Sequence, residues 1–194
     1  MNTLNGSAVC LNSVVILIMG ASASGKSSLA YNLIKRGGFW LGDGQIFFGD
    51  ETPKPLLYPN DSGDFLSIRY PTLFQELVPP NFQSEIRSSD SQLIISVNLS
   101  RVFPLQKRTK SPLSPDMIIW TEKSTQVHSS LYPVQVSELR SLISKSNLNL
   151  PDRGISGWKF ISGSGFENRE QIIAKLEKLT AELGFNRKIQ TGVQ

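Results

Sequence analysis

The sequence holds little of what disulfide, zinc or membrane chemistry requires. Its 194 residues include one cysteine, Cys10, and one histidine, His128. One cysteine excludes a disulfide within the chain, and a histidine with no cysteine or acidic residue near it in sequence argues against a zinc site. The longest apolar run, Val14 to Met19, is far shorter than the roughly 20 residues of a membrane-spanning helix. We therefore expect no zinc and no membrane partner.

Positive charge is in small excess and is not concentrated. The formal net charge is +4, and the densest basic segment, QKRTK at residues 106–110, is typical of a solvated loop. The aromatic residues are scattered and form no stacking array, so we expect no nucleic-acid partner. The mild basicity suits an anionic ligand such as a nucleotide.

The composition is that of an ordinary globular protein, with 39% hydrophobic and 19% charged residues. We expect one domain over residues 1–194 with a polar tail from about residue 185. The segment VVILIMGASA at residues 14–23 has the apolar part of a secretory signal, but no lysine or arginine precedes Lys26. We therefore expect a cytoplasmic protein.

The segment GASASGKSS, at residues 20–28, carries the strongest functional signal. Its first eight residues fit G-x-x-x-x-G-K-[ST], the Walker A pattern, with an apolar strand before it and an amphipathic helix after it. A chance match in a chain of this length is on the order of one per cent. The candidate phosphate-binding residues are Gly20, Ala21, Ser22, Ala23, Ser24, Gly25, Lys26, Ser27 and Ser28.

Each fixed residue type of this loop has a chemical role. The glycines let main-chain N–H groups approach phosphate oxygens, and the start of the helix adds its free N–H groups and its dipole. Lys26 brings an ammonium to the terminal phosphates, and the Ser27 hydroxyl suits a magnesium ion. The pattern predicts a bound nucleoside triphosphate, and it leaves ATP, GTP and pyrophosphate open.

The reaction depends on a carboxylate near the loop. Asp43 closes the apolar segment FWLGD and is the first candidate, while Glu122 follows MIIWT and is the second. We interpret Glu122 as a solvated strand end, and His128 as a surface residue.

Apolar runs and periodicity predict an α/β fold, with a sheet of the P-loop kinase type flanked by helices. We predict strands at residues 7–11, 13–19, 39–43, 64–70, 92–99, 116–120 and 158–162, a hairpin from 45–48 and 56–58, and helices after Lys26 and over 71–77, 136–144 and 168–184. The last helix should begin with an Asn168/Gln171 capping box and end at Gly184.

The segment from Leu4 to Phe48 resembles the catalytic domain of HPr kinase/phosphorylase. The shared features are an NGSAV strand, a second strand, the Walker A loop, a helix ending LIKRG and a strand running into Asp43. The resemblance covers roughly a quarter of the chain and implies a short, catalytic-domain-only protein with a fold like those of HPr kinase and phosphoenolpyruvate carboxykinase.

That resemblance implies phosphate transfer from ATP, with Mg²⁺, to a serine of the carrier protein HPr or of another protein or peptide. It assigns the loop to the phosphates, Ser27 and Asp43 to the metal, Lys26 and Asp43 to catalysis, and the acceptor's proton to Asp43. Members of the family form oligomers, so a homo-oligomer is an open expectation.

The sequence departs from the family pattern at several places. Gly44 stands for the second acid of the family's acidic pair, and Asn5 stands for its histidine. In the segment that corresponds to the family's E-x-R-G-x-G, Ser67 stands for a glutamate that helps to hold magnesium, Arg69 matches, and both glycines are gone. The loss of a magnesium ligand argues for weakened catalysis, and the loss of the histidine and the glycines argues against the reverse, phosphorolytic reaction.

The leading hypothesis is therefore an ATP-dependent serine kinase that acts on a protein or peptide. Two alternatives remain: a small-molecule kinase, and a nucleotide-binding regulatory module with weakened catalysis.

Overall fold

The computed structural model describes residues 2–49, 55–58, 65–71, 86–89, 92–103, 111–144, 148, 150, 154–163 and 168–191. The strands in these residues are β1 (Asn2–Leu11), β2 (Val14–Gly20), β3 (Phe39–Gly49), β4 (Leu56–Tyr58), β5 (Phe65–Pro71), β6 (Ile86–Ser89), β7 (Gln92–Asn98), β8 (Met117–Lys123), β9 (Ser130–Val134) and β10 (Ser156–Ser162). The helices are α1 (Lys26–Lys35), α2 (Leu99–Val102), α3 (Val136–Ile143) and α4 (Arg169–Thr191).

A seven-stranded mixed sheet forms the centre of the molecule, in the order β4-β3-β1-β2-β8-β10-β9. The pairs β2–β8 and β8–β10 are parallel, and the other four pairs are antiparallel. A second sheet, β5-β7-β6, is antiparallel. The architecture is α/β, as predicted from the sequence.

The central strand β2 is buried on both faces, because its alternating side chains enter two separate cores. Val14, Ile16 and Ile18 pack in the first core, with apolar side chains of α1, α4 and the second sheet. Val15 and Leu17 pack in the second core, where α3 contributes its buried residues. Two covered faces explain the uninterrupted apolar sequence of this strand.

Helix α1 lies between the main sheet and the second sheet. Its buried side chains are Leu29, Ala30, Leu33 and Ile34, which recur at four-residue spacings, together with Lys26. The apolar side chains of α1 and β5 share the first core, so the helix that begins at the loop is fixed from both sides. A fixed helix holds its amino-terminal N–H groups in one orientation toward a ligand.

Several predicted boundaries are wrong. The first strand begins at Asn2 and not at residue 7, and the strand predicted at 116–120 continues to Lys123. The strand that was expected to end at Asp43 continues to Gly49, where it pairs with β4 in the predicted hairpin. Pro71 ends strand β5 and does not begin a helix. The remainder of that predicted helix, residues 72–77, and the basic segment 106–110 lie outside the described residues.

The ends of α4 also differ from the prediction. The helix continues through Gly184 to Thr191, and a Cβ atom on Gly184 would lie 2.2 Å from the carbonyl oxygen of Asn12. Gly184 therefore permits close packing against the β1–β2 turn and does not stop the helix. At the other end, the Asn168 side chain bonds both the N–H and the carbonyl of Ser129, in place of the expected capping box. Among the described residues, no helix combines the length and the apolarity of a membrane span.

Candidate phosphate-binding site

The loop of residues 20–25 connects the end of β2 to the start of α1. Gly20, Ala23 and Gly25 all have positive φ angles, of 141°, 60° and 100°. Gly25 occupies the N-cap position of α1 and has no side chain with which to cap it. The first N–H groups of the helix therefore have no side-chain cap, and such groups are the donors that bind an anion at the start of a helix.

Close packing against β8 fixes the loop from behind. A Cβ atom on Gly20 would lie 2.2 Å from the carbonyl oxygen of Thr121, so no larger residue fits there. The hydroxyls of Ser24 and Thr121 are 2.5 Å apart, and Thr121 Oγ1 donates to the carbonyl of Met19. Because Thr121 has one hydroxyl hydrogen, Ser24 is the donor between the two. Thr121 was missed in the sequence, because its contact depends on the β2–β8 pairing.

The Lys26 side chain folds back over the loop. Its ammonium donates to the carbonyl oxygens of Gly20 at 3.0 Å and Ala21 at 2.7 Å. The side chain is buried, although lysine is almost never buried without partners. The loop therefore holds a positive charge at its own opening.

Asp43 lies beside the first turn of α1. Ser27 Oγ donates to its two carboxylate oxygens at 2.9 and 3.0 Å, and Ser7 Oγ donates to Oδ1. The backbone N–H of Ser67 reaches Oδ2 at 3.4 Å. Strand β1, which separates β2 from β3, thus brings the candidate acid next to the hydroxyl of the Walker A pattern.

These groups surround a polar cleft of about 440 Å³, within the size range of small-molecule sites. Its lining residues are Asn5, Ser22, Ala23, Gly25, Lys26, Ser27, Ser28, Asp43, Gly44 and Ser67. Gly20, Ala21 and Ser24 support the loop, through the Lys26 and Thr121 contacts. Three of the departures from the family pattern, Asn5, Gly44 and Ser67, lie at this cleft.

A second cation approaches the loop from its other side. Arg169, at the start of α4, donates to Ser162 Oγ at 3.2 Å and to the carbonyl of Gly163 at 3.5 Å. Ser162 in turn lies near Gly25. Arg169, Ser162 and Gly25 all line a small hollow beside α1. Arg169 was not found from the sequence, because the position of its partner Ser162 beside Gly25 depends on the parallel pairing of β2, β8 and β10.

Glu122 and His128 are not among the residues that line the cleft. Glu122 accepts a hydrogen bond from Trp120 Nε1 at 3.0 Å and pairs with Lys159 at 3.0 Å. The hydrogen bond to Glu122 raises the pKa of Lys159 above its usual value. His128 is exposed, and the Arg69 side chain lies outside the described part of the structure.

The chemistry of the cleft suits magnesium better than a protein-caged metal. Within the described residues, no three histidine, cysteine or acidic side chains cluster around one point. The hydroxyl of Ser27 and the carboxylate of Asp43 are hard oxygen ligands in contact with each other. Mg²⁺ commonly binds one or two such groups together with substrate phosphates and waters.

The comparisons with known proteins give a result for the fold. No family model and no curated protein matches the sequence. Among solved structures, the chain is similar to the Hpr(Ser) kinase/phosphatase from Coxiella burnetii, with a TM-score of 0.54 over 99% of this chain and 97% of that chain. The chain has an HPr kinase-like fold. At 12% identity the likeness establishes the fold, which is the one implied by the resemblance of residues 4–48.

Proposed function

We propose that this protein is an ATP-dependent kinase that phosphorylates a serine of a protein or peptide. The observation that carries the proposal is the contact between Ser27 and Asp43 at the mouth of the loop, at 2.9 and 3.0 Å. In a P-loop kinase, the transferred phosphate has to meet both a metal-binding hydroxyl and a group that orients the acceptor.

The loop and Lys26 would bind the triphosphate of ATP. Main-chain N–H groups around Gly25 offer donors to the phosphate oxygens, and the Lys26 ammonium offers charge. A terminal phosphate is a stronger acceptor for this ammonium than the carbonyls of Gly20 and Ala21. We expect Lys26 to exchange these carbonyls for phosphate oxygens when ATP binds.

Ser27 and Asp43 would hold a magnesium ion. Ser27 donates its hydrogen to Asp43, and this leaves the lone pairs of its oxygen available to a cation. The ion supplies charge neutralisation to the phosphates. The residues themselves keep the carboxylate and the phosphate-binding loop in one place.

Asp43 would accept the proton of the acceptor serine. Two serine hydroxyls donate to this carboxylate, and its oxygens keep lone pairs with which to accept from the hydroxyl of the acceptor serine. The acceptor oxygen forms a bond to the γ-phosphorus, the bond to the β–γ bridging oxygen breaks, and ADP departs. Lys26 stabilises the negative charge on the phosphates during this step.

The partner would be a protein or peptide with an accessible serine. The structural neighbour is named for action on Hpr(Ser), so HPr is one candidate acceptor for this chain. We further propose a cytoplasmic location, where ATP is available, and a homo-oligomeric assembly remains a prediction from the family resemblance.

Incubation with γ-labelled ATP, Mg²⁺ and a heat-treated protein extract tests the proposal. We expect label on serine of an extract protein, which purification then identifies, and no transfer by Asp43→Asn. Label transferred only to metabolites would replace the protein-kinase assignment with a small-molecule kinase. Equal transfer by Asp43→Asn would remove Asp43 from the mechanism.

One observation favours a nucleotide-binding regulator as a second candidate. The cleft is lined by three neutral residues at positions that depart from the family pattern, Asn5, Gly44 and Ser67. Asp43 is the one carboxylate among the lining residues. Tight binding of ATP in calorimetry, with no phosphate transferred to protein or metabolite, would favour the regulator.

A further inference from the structure

Ser7 is a polar residue in the middle of an apolar region. It lies on β1 between β2 and β3, where it pairs with Ile18 on one side and with Asp43 on the other. Its exposed fraction is 0%, and its neighbours Ala8 and Val9 are equally buried. A buried hydroxyl destabilises a fold unless it is hydrogen-bonded, and Ser7 donates its hydrogen to Asp43 Oδ1.

The two oxygens of Asp43 have unequal partners. Oδ1 accepts from Ser7 and from Ser27, whereas Oδ2 accepts from Ser27 and, at 3.4 Å, from the Ser67 N–H. Ser67 lines the cleft, and Ser7 does not. Oδ1 therefore faces the sheet, and Oδ2 lies on the side where a substrate enters.

Ser7 is the partner that ligand binding leaves in place. Ser27 belongs to the loop pattern that meets phosphate and metal, so its hydrogen bonds change when they bind. The Ser67 contact is at the long end of hydrogen-bond distances. Ser7, in contrast, is fixed within the central sheet.

We propose that Ser7 is a positioning residue that anchors Oδ1 of Asp43, so that Oδ2 remains turned to the cleft to accept the acceptor's proton. The inference rests on the proposed kinase function for the role of Oδ2. The anchoring of the carboxylate is a separate property of the protein without ligands. A misplacement of about 1 Å in a reacting group can cost about 100-fold in rate, so one anchor has a measurable effect.

The variants Ser7→Ala and Ser7→Cys test the role, since cysteine keeps the shape and offers a weak donor. We expect kcat for phosphate transfer to fall about 10-fold in Ser7→Ala and less in Ser7→Cys, with KM for ATP within about twofold of wild type. Lys26 and the loop N–H groups would bind the triphosphate, and the hydrogen bond that is lost in Ser7→Ala is not one of their contacts, so the affinity for ATP should persist. A KM that rises with an unchanged kcat would overturn the proposal.

Thr180→Val is the matched control. Thr180 is also fully buried, and its hydroxyl bonds Glu177 and Asn12 far from the cleft. Its replacement removes a buried hydroxyl without touching Asp43, and we expect kcat to stay within about twofold of wild type. An equal loss of kcat in Thr180→Val and Ser7→Ala would show a general stability effect and would overturn the positioning role.

Crystal structures of the ligand-free wild type and Ser7→Ala give a readout that is independent of activity. We expect the Asp43 carboxylate to turn toward Ser27 or to occupy two rotamers in Ser7→Ala. An Asp43 side chain that is unchanged and equally ordered would overturn the anchoring. If the wild type transfers no phosphate but the carboxylate moves in Ser7→Ala, then the anchoring stands and the kinase assignment fails.

Discussion

Two charged regions of the same sheet contain a carboxylate and an ammonium, arranged in opposite ways. At the end of β8 and β10, Glu122 and Lys159 bind each other at 3.0 Å. At the cleft, Lys26 donates to backbone carbonyls, while Asp43 accepts from serine hydroxyls. The first pair has neutralised its charges within the protein. The second pair keeps an ammonium and a carboxylate at the wall of one cavity, where they can meet an anionic phosphate and a cation.

The largest effect that we expect is on the rate of phosphate transfer, and it should distinguish Asp43 from Glu122. We predict that Asp43→Asn lowers the rate of phosphate transfer by about 10³-fold, because an amide cannot accept the acceptor's proton. Glu122→Gln is the control, with a rate within about twofold of wild type. Single-turnover assays with labelled ATP measure both rates. A loss of the same size in Glu122→Gln would mean that the acid was assigned to the wrong region.

The next effect is on the affinity for ATP, and it should distinguish Lys26 from Lys159. We predict that Lys26→Met weakens the binding of ATP with Mg²⁺ by about 100-fold, since charge-assisted hydrogen bonds to phosphate are lost. Lys159→Met should leave the affinity within about twofold of wild type. Isothermal titration calorimetry measures both affinities. Equal affinities in the two variants would contradict a triphosphate site at the loop.

Alanine substitutions of two glycines compare the stability cost of a new Cβ atom in the loop, at Gly20, with its cost at the cleft, at Gly44. Gly20→Ala should destabilise the fold by about 3 kcal/mol, because the new Cβ atom meets the Thr121 carbonyl at 2.2 Å. Gly44→Ala should cost about 1 kcal/mol, since Gly44 has a φ of 80° but no atom within 4 Å of the new Cβ. Urea denaturation gives both values. Similar losses in the two variants would show that close packing against β8 is not what requires Gly20.

The smallest effect concerns the Glu122–Lys159 pair. The pKa of Lys159 in the folded protein lies above its unfolded value of 10.5. The pair therefore contributes its full stabilisation below pH 10.5, and this stabilisation is lost as the pH rises through the folded-state pKa. We expect Glu122→Gln to lower the free energy of unfolding by under about 1 kcal/mol at pH 8, with the difference decreasing above pH 10.5. Denaturation curves over this pH range measure it. A difference that grows at high pH would contradict the pairing.

The sequence was informative where function depends on neighbouring residues. The Walker A pattern, its preceding strand and its helix are local features, and the structure has the strand at Val14–Gly20 and the helix at Lys26–Lys35. The fold class followed from apolar runs such as β2, whose two covered faces leave no polar positions. The resemblance of residues 4–48 then indicated the HPr kinase-like fold.

Long-range pairing explains what the sequence did not provide. Ser7 and Thr121 act through the β1–β3 and β2–β8 registers, which no local pattern encodes. Asp43 was selected as the end of a strand, yet it lies within one, and its position beside Ser27 comes from the sheet order. Gly184 was wrongly predicted to end the last helix. The contact that requires a glycine there is with the carbonyl of Asn12, which is remote in sequence.

A crystal structure with a non-hydrolysable ATP analogue and Mg²⁺ would show whether the loop of residues 20–25 binds a triphosphate. We expect triphosphate oxygens within hydrogen-bond distance of the N–H groups of the loop and of Lys26 Nζ, with the metal beside Ser27 and Asp43. An analogue bound elsewhere on the molecule, or a loop that remains empty at millimolar concentrations of the analogue, would contradict this expectation.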